Sequence, residues 1–161
     1  MPNDPADLPL PLSVPPQLFS LKTPMVSTGM VDNFVSETDT MKVSVKIYAD
    51  GGENFLHTHQ LEDHFFLILE GEATFKDPSG RSTTLHQHQG IMLPANSYYM
   101  FTATGGAPVV LLRVAATKVQ PWVKDSRKWW PGVTDVRAPA RNKENQIPGK
   151  FFSPESELPG K

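Results

Sequence analysis

Between residues 41 and 116 the chain alternates apolar and polar positions in short runs. In MKVSVKIYA, starting at Met41, the residues Val43, Val45 and Ile47 fall on one face of a period-two pattern. Six further runs follow, HFFLILE, EATFK, STTLHQH, GIMLP, YYMFTA and APVVLLRVAA, each rich in β-branched or aromatic residues. Turn signals separate the runs, among them ADGG, KDPSG and ATGGAP. No 11-residue window in this region carries a 3.6 period, and no internal repeat is present. Short strands at such spacing predict an all-β sandwich or barrel.

Proline sharpens the boundaries. Of 16 prolines, seven lie in residues 1–24 and six in 119–161, leaving Pro78, Pro94 and Pro108 between them. Proline lacks the N–H that helices and central strands need, so both ends are expected to be poor in either. The chain divides into an N-terminal arm (1–38), a barrel core (39–118) and a C-terminal extension (119–161). The stretches GMVDNF and PGVTDV read as loops, and RNKENQ as a frayed polar segment. Trp122, Trp129 and Trp130, with Phe151 and Phe152, are too apolar for a solvated tail. They need a surface, either their own barrel or a second copy, as do Leu10, Leu12 and Phe19 of the N-terminal arm. A homodimer is expected.

Composition then excludes several chemistries. The chain has 161 residues and no cysteine, so disulfides, thiolate metal sites and cysteine nucleophiles are ruled out. The net charge is −2, a mildly acidic body with a mildly basic tail, and nucleic-acid binding is not expected. The N-terminal residues have no basic segment before an apolar run, and no stretch approaches the ~20 apolar residues of a membrane span. A soluble, cytoplasmic protein without a membrane partner is expected. No nucleophile elbow or phosphate loop is present.

Three of the five histidines, His57, His59 and His64, fall within eight residues. Residues i and i+2 of a strand share a face, so His57 and His59 present two imidazoles side by side. The next strand offers Asp63 or His64 as a third metal ligand, and these face opposite ways. Both faces of that strand are apolar, so periodicity leaves the choice open. His86 and His88 are also two apart, but Gln87 and Gln89 beside them suggest an edge strand with solvent on both sides.

Here the residues resemble the cupin family, over about residues 40–116. Its first motif is Gly, five residues, His-x-His, three or four residues, Glu, six residues, Gly. The chain has Gly51, five residues, His57-Thr58-His59, four residues, His64, six residues, Gly71. His64 stands at the Glu position with both spacings kept, which favours it over Asp63. The second motif is eroded: Pro94 keeps its proline, Asn96 stands at its Gly, Tyr99 at its metal-binding His, Ala103 at its Asn and His88 at its opening Gly. Asn tolerates the left-handed backbone better than other non-glycine residues, so the turn at Asn96 is expected to survive.

The resemblance implies a single cupin β-barrel, a double-stranded β-helix or jelly roll, with Pro-rich arms. It implies one divalent metal on His57, His59 and His64, with Tyr99 nearby as ligand, acid or base. Imidazole suits Fe(II), which is favoured, and also Zn, Mn, Ni and Cu. Family parity sends Phe66 and Ile68 inward with His64 and Phe101 inward with Tyr99, with Phe55 and Met92 also lining an apolar substrate pocket. The expected function is a small-molecule oxygenase of the dioxygenase type acting on a chelating, aromatic or enolisable substrate. The alternatives are a metal-dependent lyase, isomerase or decarboxylase with Tyr99 as acid or base, and a ligand-binding cupin without catalysis. Oxygen uptake with iron and the effect of Tyr99→Phe separate the first two.

Overall fold

The computed structural model describes residues 14–50, 54–123, 126–133 and 145–158. These residues form twelve strands and no α-helix. Leu10, Leu12, Gly51 and most of RNKENQ lie outside the described residues.

The main sheet has five strands in the order β2-β3-β10-β5-β8, all antiparallel. They span Met30–Glu37 (β2), Met41–Tyr48 (β3), Val109–Thr117 (β10), Glu62–Glu70 (β5) and Gly90–Leu93 (β8). Facing it is a three-stranded sheet, β7-β6-β9, built from Ser82–His86 (β7), Glu72–Lys76 (β6) and Met100–Thr104 (β9). Two short ribbons complete the fold: Thr23–Val26 (β1) pairs with Gln146–Phe152 (β12), and His57–His59 (β4) pairs with Arg127–Trp129 (β11). The result is the expected all-β jelly-roll barrel. GMVDNF, expected as a loop, instead enters β2, where Met30, Val31 and Asn33 pair with Tyr48, Ile47 and Val45 of β3. The main sheet therefore takes in residues ahead of position 39.

The main sheet buries both its faces, and this positions the site. On the outer face Val45, Ile47 and Val110 join Val26, Ala49 and Phe152 beneath the β1/β12 ribbon. On the inner face Phe66, Ile68 and Leu111 meet Phe75 and Phe101 of the smaller sheet, with Phe75 and Phe101 stacked at 4.9 Å. The apolar face of MKVSVKIYA thus packs outward, and its alternate residues Ser44, Lys46 and Tyr48 face the barrel interior. Burial of each large side chain contributes about 1.5–3 kcal/mol relative to exposure.

The hairpin between β5 and β6 turns at Gly71, with φ of 76°. A Cβ there would come within 2.7 Å of the Pro108 carbonyl oxygen, so only glycine fits. Both eroded glycine positions of the second motif keep the left-handed backbone: φ is 68° at His88 and 71° at Asn96. The Asn96 turn is held by its N–H donating to the His59 carbonyl at 3.0 Å.

Candidate metal centre and cavity

Strand parity assembles the site. Along β5 the side chains of Glu62, His64, Phe66 and Ile68 are buried on the inner face, while Asp63 and Phe65 point the other way. Strand β4 crosses nearby, tied to Tyr99 by reciprocal backbone bonds, His57 N–H to the Tyr99 carbonyl at 3.0 Å and Tyr99 N–H to the His57 carbonyl at 2.9 Å. The imidazoles of His57 and His59 lie 5.2 Å apart, and those of His59 and His64 4.2 Å apart. The rings of the three expected histidines therefore lie close together.

The donor atoms that converge are nevertheless those of His59, Glu62 and His64, all within 4.8 Å of one another and all buried. Glu62, absent from the sequence-based ligand set, joins the group where His57 was expected to. His57 lies alongside: its Nδ1 is 2.6 Å from the Phe55 carbonyl oxygen, to which it can only donate, so Nε2 carries the lone pair. Asp63 is excluded from the cluster, because its Oδ1 accepts from the Ala95 N–H at 2.7 Å and from Lys118 Nζ at 3.1 Å on the far side of the strand. The Ala95 hydrogen bond holds the Asp63 carboxyl below the usual carboxylate range.

The charge pattern around His64 fits a cation. Its Nε2 lies 2.8 Å from Glu62 Oε2 and 2.8 Å from Arg113 Nη2, with Nη2 and Oε2 themselves 3.3 Å apart. One ring nitrogen cannot donate to the carboxylate and accept from the guanidinium at once. Burial foremost, then the positive charges of Arg113 and Lys46, pushes His64 down to about 2, so it is neutral. In the tautomer with its proton on Nδ1, the Nε2 lone pair and the Glu62 carboxylate oxygen converge on one place, where the Arg113 guanidinium supplies the positive charge that a metal ion would take over. A second sign is His59 Nδ1, buried without a hydrogen-bond partner and 3.5 Å from Glu62 Oε2. Burial, with the neighbouring His64 and His57, pushes His59 down to about 2 as well.

Tyr99 is buried against His57, with rings 4.7 Å apart, and its hydroxyl lies 3.3 Å from His64 Nδ1. With Nε2 unprotonated, Nδ1–H donates to the hydroxyl oxygen and fixes the ring, the role that outer partners of ligand histidines take. Burial pushes the phenol up to about 12, so it keeps its proton at neutral pH.

The cluster opens into a cavity of about 610 Å³, within the range of small-molecule sites. Of the expected pocket residues, Phe55, Phe66 and Phe101 line it. Ile68 is fully buried deeper in the core. Met92 is a correction: it is 60% exposed, because it sits opposite outward-facing Phe65 while its neighbours Ile91 and Leu93 turn toward the core. The cavity is also more polar than expected, since Asp32, Lys46, Arg113 and Arg127 line it with Glu62. Glu62 could have been read from its shared parity with His64, and Arg113 from being the one charge in APVVLLRVAA. Arg127 gave no such signal, because its place depends on the pairing of distant β11 with β4.

The tryptophans find their surface on this chain's own barrel. Trp129 lies 5.4 Å from the His57 ring, Trp130 meets Tyr98 edge-on at 4.8 Å, and Trp122 lies under Lys42 Nζ at 4.7 Å. Phe19 and Phe151 stay exposed. His86 is exposed and pairs with Glu72 at 3.1 Å, remote from the cluster. No helix among the described residues is long and apolar enough to cross a membrane.

Comparison with known proteins agrees with the fold. The cupin domain family matches residues 44–115. An uncharacterized conserved protein with a double-stranded β-helix domain from Klebsiella pneumoniae is similar at 21% identity and a TM-score of 0.54, over 64% of this chain and 91% of its own. The cupin domain of Schizosaccharomyces pombe Cnp3 is similar at 17% identity and a TM-score of 0.51, over 55% of this chain and 65% of its own. TT1209 from Thermus thermophilus is similar at 22% identity and a TM-score of 0.50, over 55% of this chain and 83% of its own. At these identities the likeness speaks to fold alone. No curated protein matches the chain. The cupin domain match thus covers the barrel at residues 44–115, and the His59, Glu62 and His64 group within it could hold a metal ion.

Proposed function

We propose that this cupin is a metal-dependent oxygenase of the dioxygenase type, acting on a small chelating substrate with an aromatic or enolisable body. The observation that carries the reading is the buried convergence of two imidazoles and one carboxylate, His59, His64 and Glu62, at the edge of a cavity. That donor set with open positions is the one that non-haem iron(II) oxygenases use. Iron(II) would be held by these three residues, with His57 Nε2 as a fourth donor, and when bound would supply a redox-active Lewis acid. Zn, Mn, Ni and Cu also suit the imidazoles.

The protein's own groups then have distinct tasks. Tyr99 orients the His64 ring, Arg113 orients Glu62, and Phe66, Phe101 and Trp129 form walls that exclude water from a bound substrate. The test is reconstitution with iron(II) followed by oxygen consumption with acetylacetone as an enolisable probe. Oxygen uptake that depends on iron and is lost in Glu62→Ala and His64→Ala is the expected result. Iron bound with no oxygen uptake for any enolisable or catechol-type probe would overturn it.

A lyase or isomerase is the second reading, favoured by one observation: Tyr99 is a buried phenol that keeps its proton and lines the cavity. A general acid so placed could protonate a substrate without oxygen. Turnover under anaerobic conditions that disappears in Tyr99→Phe would establish this reading over the first.

A further inference from the structure

We infer that Tyr48 is a specificity-determining residue of the cavity, whose hydroxyl donates a hydrogen bond to a carbonyl oxygen of the bound molecule. The inference deepens the oxygenase reading above and rests on it for a substrate in this cavity: among chelating bodies it selects those that carry a ketone.

Strand β3 places the ring. Ser44, Lys46 and Tyr48 alternate onto its inner face, and the register sets Tyr48 between Met30 of β2 and Val109 of β10. The ring meets Phe101 edge-on at 4.8 Å and joins the core that also holds Phe66 and Tyr99. Only 4% of the residue is exposed, yet it lines the cavity. Its ring alone holds it there, because its hydroxyl makes no hydrogen bond to any of the described residues. A phenol buried without a partner is costly, and a ligand oxygen that accepts from it recovers the loss.

The second argument is the bonding that its neighbours leave open. The Tyr99 oxygen accepts from His64 Nδ1–H at 3.3 Å, so its own O–H has no acceptor among the described residues. Asn54 gives its Oδ1 to the Phe101 N–H at 2.8 Å, which leaves its NH2 group as the part that can serve the cavity it lines. The acceptors, in contrast, are already in use. The carboxylates of Asp32 and Glu62 line the cavity but pair with Lys46 at 3.0 Å and Arg113 at 3.3 Å. Three neutral groups thus have donors to offer, and a carbonyl oxygen, which only accepts, is the group that complements them. Burial foremost, then the neighbouring Tyr99 and Asp32, pushes the Tyr48 phenol above its ordinary value, so it keeps the proton it donates.

The test uses the full chain, metal-free and zinc-loaded, with acetophenone as the ketone probe and ethylbenzene, which has a methylene in place of the carbonyl, as its control. Titration calorimetry measures binding, and infrared difference spectroscopy follows the carbonyl stretch of the bound ketone. Acetophenone is expected to bind saturably, with its stretch at lower frequency than in an apolar solvent. Tyr48→Phe keeps the ring. It is expected to weaken acetophenone about two- to tenfold, the scale of one neutral hydrogen bond, to reverse most of the frequency shift, and not to weaken ethylbenzene. The unfolding midpoint of the ligand-free variant should be no lower than that of the wild type, since the hydroxyl has no partner within the fold to lose. No saturable acetophenone binding, a carbonyl stretch unmoved by Tyr48→Phe, or equal weakening of both probes would each overturn the inference. A clearly lower midpoint, or failure of Tyr48→Phe to fold, would assign the hydroxyl a structural role and overturn it too. Iron-dependent oxygen uptake with acetylacetone, beside a carbonyl stretch that ignores Tyr48, leaves the oxygenase reading standing and removes this contact. A stretch that depends on Tyr48 without oxygen uptake does the opposite.

Discussion

The two faces of the five-stranded sheet use the same strands for opposite purposes. On the outer face, Val45, Ile47 and Val110 are fully buried in an apolar cluster beneath the β1/β12 ribbon. On the inner face, one residue along each strand, Lys46, Glu62, His64 and Arg113 line or border the cavity among aromatic side chains. The outer face gains free energy from burial. The inner face spends part of it on charged and polar groups that are costly to bury. Stability and function are thus separated by a shift of one residue in register.

Substitutions on the two faces should differ in kind. The largest effect on folding is expected for Asp32→Ala, which breaks the buried ion pair with Lys46; losing one member of a buried pair costs about 3–5 kcal/mol, measurable by urea unfolding. Ile47→Ala on the outer face should cost about 2–5 kcal/mol through the cavity it leaves, yet leave metal content per folded chain unchanged. Loss of metal in Ile47→Ala would break the separation of the faces.

Between pH 7 and 4.5, acid should weaken the metal-free protein through the buried histidines of the inner face. His59 and His64 are held down to about 2, so the folded state keeps them neutral while the unfolded chain takes up protons below about 6.5. Their contribution is complete above pH 6.5 and is lost as pH falls, on the order of 1.4 kcal/mol per pH unit for each histidine. Unfolding midpoints between pH 7 and 4.5 should show this slope, and His59→Gln with His64→Gln should flatten it. The smallest effect is expected at Asn96, whose φ is 71°: Asn96→Gly should be neutral or slightly stabilising, and Asn96→Val destabilising by about 1–2 kcal/mol.

Much of this could be read from the chain because the relevant contacts are local. The period-two pattern places β3, β5, β6, β9 and β10, and the His-x-His spacing brings His57 and His59 to one face. The left-handed turn at Asn96 follows from side-chain chemistry. What escaped reading depends on distant pairing or on the choice between two buried faces. MKVSVKIYA shows an apolar face but not that this face turns away from the cavity, which is settled by the cover that β1 and β12 supply. GMVDNF lacks a long β-branched run and becomes a strand because β3 offers it an edge. Glu62 shares its parity with His64 but stands outside the motif spacing. Arg127 joins the site through β4, a partner some 70 residues away in sequence, which no local pattern reports.

The central claim is that His59, Glu62 and His64 form one metal site. The most direct measurement is elemental analysis of protein purified without chelator, for the wild type, Glu62→Ala, His64→Ala and Asp63→Ala, each confirmed as folded by circular dichroism. The account predicts close to one divalent ion per wild-type chain, retained in Asp63→Ala and lost in Glu62→Ala and His64→Ala. Metal retained in Glu62→Ala, or none bound by the wild type even after reconstitution, would contradict it.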